Sequence, residues 1–348
     1  MSQRSGTPDP TSRRQTIWCN AKFAPEATSL LREGVARAGH RFVLSSTRTT
    51  GNLVGGDADP KLKEADIALG QPDPEQVMRL PRLKWVHLTS AGYTRYDRDD
   101  LKAAFRARGA ALTNSSMVYA EPCAQHALAM LLGVARRLPH CVVDQQTARS
   151  WHAAGHRIQS HVLAPSRTVL IVGYGAIGRR LVELLRPFGM NVICVRRRPT
   201  GDEGSGVTVV PEARLDEVLP TADDVVNILP ENPGTVGFFN AHRLRSMKPG
   251  AVFINIGRGT TVDQDGLLNA LRANRLAAAY LDVTDPEPLP PDHPLLHLPT
   301  CVVTPHLAGS QGSELSRQAE LVIEEIRRFA AGEPALHPVV VADLDRVA

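Results

Sequence analysis

Three stretches of this sequence end apolar runs on polar residues of a telling kind. AVFINIGRG places Arg258 just past a run that reads as a strand, YLDVTDPEP places Asp282 at a strand end and Glu287 in the loop after it, and VVTPHLAG places His306 after another strand. Arg258 can meet a carboxylate with a planar fork of donors. His306 is the natural acid/base, because imidazole titrates near neutral pH. Glu287 beside it would favour the imidazolium and fix the ring's tautomer and orientation. Hydride transfer to a 2-oxo acid needs such a set: a cation for the carboxylate and a tuned proton donor for the carbonyl oxygen. Each residue alone has a plainer reading. A histidine after a strand is usually structural, and a glutamate among prolines is usually solvated. The combination singles them out.

Such residues need a scaffold that brings strand ends together. TVLIVGYGAIGRRLVELLRPFG supplies a buried strand, then Gly173, Gly175 and Gly178, then a helix with Ile177, Leu181, Leu184 and Leu185 on one face. Gly173 makes the tight turn, Gly175 lets the backbone approach a pyrophosphate, and Gly178 lets the helix pack close to the strand. Tyr174, Ala176 and Ile177 complete the turn, and the pyrophosphate is expected on the helix N-terminus. The next strand, NVICV, runs into Arg196, Arg197 and Arg198, with Arg196 standing 18 residues after Gly178. An acidic residue near this place would bond a ribose 2′-hydroxyl. Arginine reverses that choice and favours a 2′-phosphate. NADP is therefore expected to be preferred, with NAD possible. The alternative is a solvated loop in an arginine-rich chain, for only six of the 40 basic residues are lysines.

Around these motifs the chain reads as α/β throughout. TIWCN, RFVLS, DIALG, KWVHL and AALTN are strand candidates alternating with helical periodicity, which makes roughly residues 16–118 a small parallel α/β unit. A long apolar helix over 120–138 follows and is expected to lie buried between domains. A second series runs from TVLIVG through NVICV, VTVV, DDVVNIL, AVFINI and AAAYLDV to TCVVTP. The tail over 313–332 is amphipathic, with Leu315, Ala319, Val322, Ile323 and Ile326 on one stripe. PEPLPPDHP (286–294) reads as a stiff surface loop.

Composition narrows the function classes. The 348 residues are 43% hydrophobic and 22% charged, and the net charge of +4 is too small to argue for nucleic acid or a membrane surface. Residues 1–15 read as a disordered lead-in rather than a secretory signal. Cys19, Cys123, Cys141, Cys194 and Cys301 show no CxxC spacing and read as reduced thiols of a cytoplasmic protein. No metal site is expected: no HExxH occurs, and His152, His156 and His161 read as solvated helix or loop residues.

From about residue 60 to 338 the sequence resembles the D-isomer-specific 2-hydroxyacid dehydrogenases, in the branch of the glyoxylate/hydroxypyruvate reductases. The matching stretches are LTSAGYTRYD, LTNSSMVYAEPCAQHALAMLL, VGYGAIG, MKPGAVFINIGRGTTVDQDGLLNALRANRLAAAYLDVTDPEPLP and VVTPHLAG. The resemblance implies that Arg258, Glu287 and His306 are the catalytic residues. It puts Asp282 at the nicotinamide carboxamide and Ile256, Gly257, Ala308 and Gly309 beside the ring, with Leu229, Pro230 and Thr235 as further cofactor contacts. It implies two Rossmann-like or flavodoxin-like domains with parallel sheets. The cofactor domain (119–311) is inserted into a substrate-binding domain (1–118 and 312–348), with a hinge that closes over the reacting centre. Ser90, Ala91 and Gly92 would then hold the substrate carboxylate through backbone N–H groups, and Tyr93 and Met117 would line the substrate side. A homodimer is the family expectation, and Trp151 falls where some members reach across it. The arginines at 196–198 and the missing Gly-Lys before the first cofactor strand depart from the family pattern. The expected activity is reduction of a small 2-oxo acid to the D-2-hydroxy acid. The rivals are a cofactor-sensing co-repressor or redox sensor on the same fold, and another Rossmann enzyme such as a methyltransferase.

Overall fold

The structure, a computed structural model, describes residues 14–49, 55–147, 151, 153–197, 199, 207–311, 314–331 and 338–339. The chain divides into two units, Met1–Val118 with Gln311–Val347, and Tyr119–Ser310.

In the first unit β1 (Thr16–Cys19), β2 (Arg41–Leu44), β3 (Ile67–Gly70), β4 (Trp85–Leu88) and β5 (Ala111–Asn114) pair in parallel in the order β2-β1-β3-β4-β5. Every residue of β1, β3 and β4 is buried. That is why these strands read as unbroken apolar runs: helices cover both faces of a parallel sheet. The short strand Pro338–Val339 adds to β5 antiparallel at the edge of this parallel sheet. Two residues beginning with proline carry no period to read. The tail helix Glu314–Ala330 buries Ala319, Val322 and Ile326 as its stripe demands. Burying Val322 and Ile326 contributes about 1.5–3 kcal/mol each. It lies against the helix Pro25–Arg37 so closely that a Cβ on Gly34 would stand 2.7 Å from Ile323. The side chain of Leu315 lies outside the described set.

In the second unit β6 (Thr168–Val172), β7 (Asn191–Arg196), β8 (Thr208–Pro211), β9 (Asp224–Asn227), β10 (Ala251–Asn255), β11 (Leu276–Leu281) and β12 (Cys301–Val303) form one parallel sheet, ordered β8-β7-β6-β9-β10-β11-β12. Alternate side chains feed separate cores. Val169 and Ile171 join one cluster with Val252 and Ile254, while Leu170 and Val172 join another with Ala251 and Phe253. The chain leaves β6 toward β7 and β8, then returns to the other side of β6 at β9. That reversal creates a crevice beyond the carboxyl ends of β6 and β9, where open α/β sheets take their ligands.

The long helix runs over Ser116–Ala135 rather than 120–138. It begins earlier because Ser116 donates its N–H to the Asn114 side chain, a local cap. Pro122 sits inside it and has no N–H to give the Val118 carbonyl, which instead accepts from the Gln311 side chain at 3.0 Å. It stops before Arg137, whose φ is +59°. Two further helices, Leu138–Thr147 and Ala153–Gln159, have weak apolar patterns and no counterpart in the sequence reading. The five cysteines are unpaired. Among the described residues no helix is long and apolar enough to cross a membrane.

Candidate active site

The residues of interest lie on neighbouring strand ends of the second unit. Following β12, β11, β10, β9 and β6 across the sheet, one meets His306, Asp282, Arg258, Leu229 and Gly173 in turn, each a few residues past a strand. Parallel strands put all these loops on the same edge.

The glycine turn has the shape an anion needs. Gly173 has φ +109°, a conformation other residues rarely adopt. A Cβ on Gly178 would collide with the Gly173 carbonyl oxygen. At Gly175, which precedes the helix Ala176–Leu185, a Cβ would meet nothing within 4 Å. Tight packing on one side and open space over the helix N-terminus fit a pyrophosphate. Beyond the next strand, Arg196 is half-buried at the end of β7 and Arg197 is exposed; Arg198 lies outside the described residues.

The Arg258 loop is held by a buried polar lattice. β9 and β10 pair so that Asn227 stands opposite Asn255. Asn227 Nδ2 donates to Asn255 Oδ1 at 3.0 Å and to Thr261 Oγ1 at 2.7 Å. Asn255 Nδ2 and Thr261 Oγ1 both donate to the Arg258 carbonyl, at 3.1 and 2.6 Å. Gly257 donates to Asn255 Oδ1, and Leu229 to Asn227 Oδ1. A Cβ on Gly257 would lie 2.5 Å from the Leu229 carbonyl oxygen, and one on Gly259 would collide with the Thr284 backbone. These glycines let the loop close against its neighbours. Burial lowers the pKa of the Arg258 guanidinium, against the attraction of Glu287 and Glu231. Glu231 is itself tied down by the Thr260 hydroxyl at 2.8 Å.

Asp282 holds the His306 turn. One carboxylate oxygen accepts from the Thr304 hydroxyl at 2.5 Å and the Leu307 N–H at 2.9 Å, and the other accepts from the Ala308 N–H at 2.9 Å. The Asp282 carbonyl accepts the His306 N–H. So pinned, His306 adopts φ +50°, a conformation that costs a non-glycine residue free energy and gathers at functional sites. Its Nδ1 lies 2.5 Å from Glu287 Oε1. His126 was missed as a site residue: its Nε2 stands 3.3 Å from Thr304 Oγ1 and 3.6 Å from Asp282 Oδ1. Burial lowers its pKa, with Asp282 pulling the other way. Ile256 and Ala308 are buried, Thr235 is buried with its hydroxyl on the Pro230 carbonyl, and Gly309 packs on Tyr119.

In the first unit the Ser90–Gly92 turn has its carbonyls engaged from inside. Ser115 N–H donates to Ser90 O, Asn114 Nδ2 to Ala91 O at 2.7 Å, and Ser90 Oγ to Gly92 O at 2.6 Å, while Gln71 steadies Ser90 Oγ at 3.0 Å. Tyr93 packs on the core beneath, and Met117 is exposed. The solvated reading needs correcting for two of the three histidines. His156 Nε2 lies 2.8 Å from Asp144, His161 is half-buried with Nε2 enclosed, and His152 lies outside the described residues. A helix turn that brings Asp144 near was not visible in the sequence. Among the described residues no cluster of His, Cys, Asp or Glu is placed to hold a metal ion.

The chain is similar to known proteins in sequence and in fold. Residues 128–308 match the family model of the D-isomer specific 2-hydroxyacid dehydrogenase NAD binding domain. A glyoxylate reductase of Korarchaeum cryptofilum is 34% identical over 269 residues, 75% of this chain and 77% of its own length. The crystal structure of a D-isomer specific 2-hydroxyacid dehydrogenase from Xanthobacter autotrophicus Py2, in complex with NADPH and MES, superposes with a TM-score of 0.77 at 29% identity, covering 95% of this chain and 99% of that one. An NADPH-dependent glyoxylate/hydroxypyruvate reductase from Sinorhizobium meliloti, in complex with NADP and sulfate, gives a TM-score of 0.72 at 26% identity, with 94% and 99% covered.

Proposed function

The chain belongs to the D-isomer specific 2-hydroxyacid dehydrogenase family of NAD(P)-dependent oxidoreductases, and on that premise we propose that it reduces a small 2-oxo acid of the glyoxylate or hydroxypyruvate kind to the D-2-hydroxy acid, with NADPH preferred over NADH. The observation that carries the reading is the His306–Glu287 contact of 2.5 Å, with the Glu287 loop closing against the Arg258 loop where Thr284 meets Gly259.

A bound nicotinamide supplies the hydride. Glu287 occupies Nδ1 and fixes the tautomer, so Nε2 is the nitrogen that passes a proton to the substrate carbonyl oxygen. Arg258 polarises that carbonyl and orients the carboxylate. Within the first unit, the turn at Ser90, Ala91 and Gly92 is assigned to carboxylate binding through its backbone N–H groups. The glycine turn and the helix N-terminus at Ala176 hold the pyrophosphate, and Arg196 and Arg197 meet the 2′-phosphate with donors where a carboxylate would repel it.

Steady-state turnover of a panel of 2-oxo acids with each cofactor tests this. NADPH should give the higher kcat/KM. Arg196→Asp should cut the NADPH-to-NADH ratio by about tenfold, a change of about 1.4 kcal/mol. A wild-type preference for NADH would overturn the cofactor reading, and cofactor binding without any turnover would overturn the enzyme. We also infer a homodimer, because Leu138 at 57%, Trp151 at 92% and Ile158 at 85% exposure leave apolar surface over the segment 138–159. A monomer by light scattering would refute it.

A further inference from the structure

We propose that the first unit carries a second ligand site, for an organic anion bearing two or more negative charges, in the pocket formed by the helix Pro25–Arg37, strand β2 and the turn Pro60–Glu64. The pocket has a volume of about 700 Å³. Arg14, Arg32, Arg41 and Lys61 line it against a single carboxylate, Glu64. Arg41 lies 3.6 Å from Glu64, which offsets one charge. Arg14 and Arg32 have no acidic partner among the described residues, and Lys61 Nζ reaches only the Leu44 carbonyl at 3.3 Å.

A second observation lies beside it. His40 also lines the pocket and is only 5% exposed. Its Nδ1 accepts the Gln15 N–H at 3.3 Å, which places the ring proton on Nε2, and that nitrogen is enclosed without a partner. A buried donor left unmatched costs about 1–3 kcal/mol. Burial outweighs the nearby Asp66 carboxylate and lowers the ring's pKa, so it stays a neutral donor. An anionic oxygen held by the arginine forks would satisfy Nε2–H once the side chains that enclose it give way.

The plainer explanation is edge protection. β2 is the outer strand of its sheet, and basic side chains keep such edges from pairing with other chains. That accounts for charge along a strand. It does not account for a concave space, for basic residues contributed by a helix and a separate turn, or for an enclosed imidazole N–H. Phe42 and Val43, both half-buried, give the pocket an apolar wall suited to the carbon skeleton of a small metabolite.

Phosphate and carboxylate oxygens share this chemistry, so both are probed. Pyrophosphate and, separately, citrate are titrated by calorimetry into the full chain saturated with NADP, so that the glycine turn is already filled. At least one should bind at millimolar concentration or better and weaken as salt is raised. Arg32→Glu with Lys61→Glu should lower that affinity at least tenfold while 2-oxo acid turnover stays unchanged. In the wild type the His40 Nε2 resonance should shift during the titration. Absence of binding by both anions, equal affinity in the double variant, or an unmoved His40 signal would each overturn the proposal. Loss only of pyrophosphate binding would assign a phosphate ligand, and loss only of citrate binding a polycarboxylate.

Discussion

His87 and His306 are the same side chain in opposite settings. His87 lies within β4 and is 1% exposed, its Nδ1 2.7 Å from Thr113 Oγ1 and its Nε2 3.1 Å from Ser115 Oγ. Trp85 Nε1 donates to the same Thr113 hydroxyl. Among the described residues no carboxylate answers this ring, and burial pushes its pKa down to about 3. His306 sits past the end of a strand, 25% exposed, with an unusual backbone held by Asp282 and a carboxylate on one nitrogen. The first histidine is finished: both nitrogens are occupied and charge is refused. The second has one nitrogen committed and one available. Strand interiors here store hydrogen bonds, and strand ends present them.

Substitution should separate the two roles. His306→Ala removes the proton donor and is expected to lower kcat by about 10²–10⁴-fold. Thermal or denaturant stability should change by less than about 0.5 kcal/mol, as at other partly exposed positions. A variant that turned over at the wild-type rate would end the contrast, since His306 would then be as structural as His87. Gly259→Ala comes next. Its Cβ would collide with backbone at Thr284, which cannot rotate away as a side chain can. Overpacking of this kind costs about 1–3 kcal/mol, and a loop displaced by about 1 Å costs about 10²-fold in rate. Both readouts should therefore fall together. Loss of stability with full activity would mean that the Arg258 and Glu287 loops need not stay in register.

The sequence carried the strands of both sheets because both of their faces are buried, which leaves unbroken apolar runs such as TVLIV and AVFIN. Arg258, Asp282, Glu287 and His306 could be singled out because charged residues directly after such runs must lie at the sheet's carboxyl edge. What holds them could not be read. Asn227 and Asn255 look like ordinary strand ends until the register sets them face to face. His126 lies 178 residues from Thr304, on a helix whose apolar pattern hides it. That helix starts at Ser116 rather than 120, and the hydrogen bond Pro122 cannot make inside it is made good by Gln311, far along the chain. Non-local polar contacts leave no period in a sequence.

The smallest effect tests the buried member of the pair. Because the folded chain holds His87 neutral to about pH 3 while the unfolded chain protonates near 6.5, protons favour unfolding between those values. The contribution is complete above 6.5 and is lost as pH falls, by about 1.4 kcal/mol for each pH unit. His40, His126 and His161 are also lowered by burial and add slopes of the same sign, so the wild-type curve alone cannot isolate one ring. His87→Asn keeps a polar side chain for Thr113 or Ser115 and cannot take up a proton in this range. It should be the less stable protein at pH 7, because one hydroxyl loses its partner at a cost of about 1–3 kcal/mol. The stability gap to wild type, measured by urea unfolding between pH 6 and pH 4.5, should then shrink by about 1.4 kcal/mol per unit as acid is added. A gap that stayed constant would mean that water or a nearby carboxylate reaches His87 and lets it charge, and the two histidines would differ in position but not in kind.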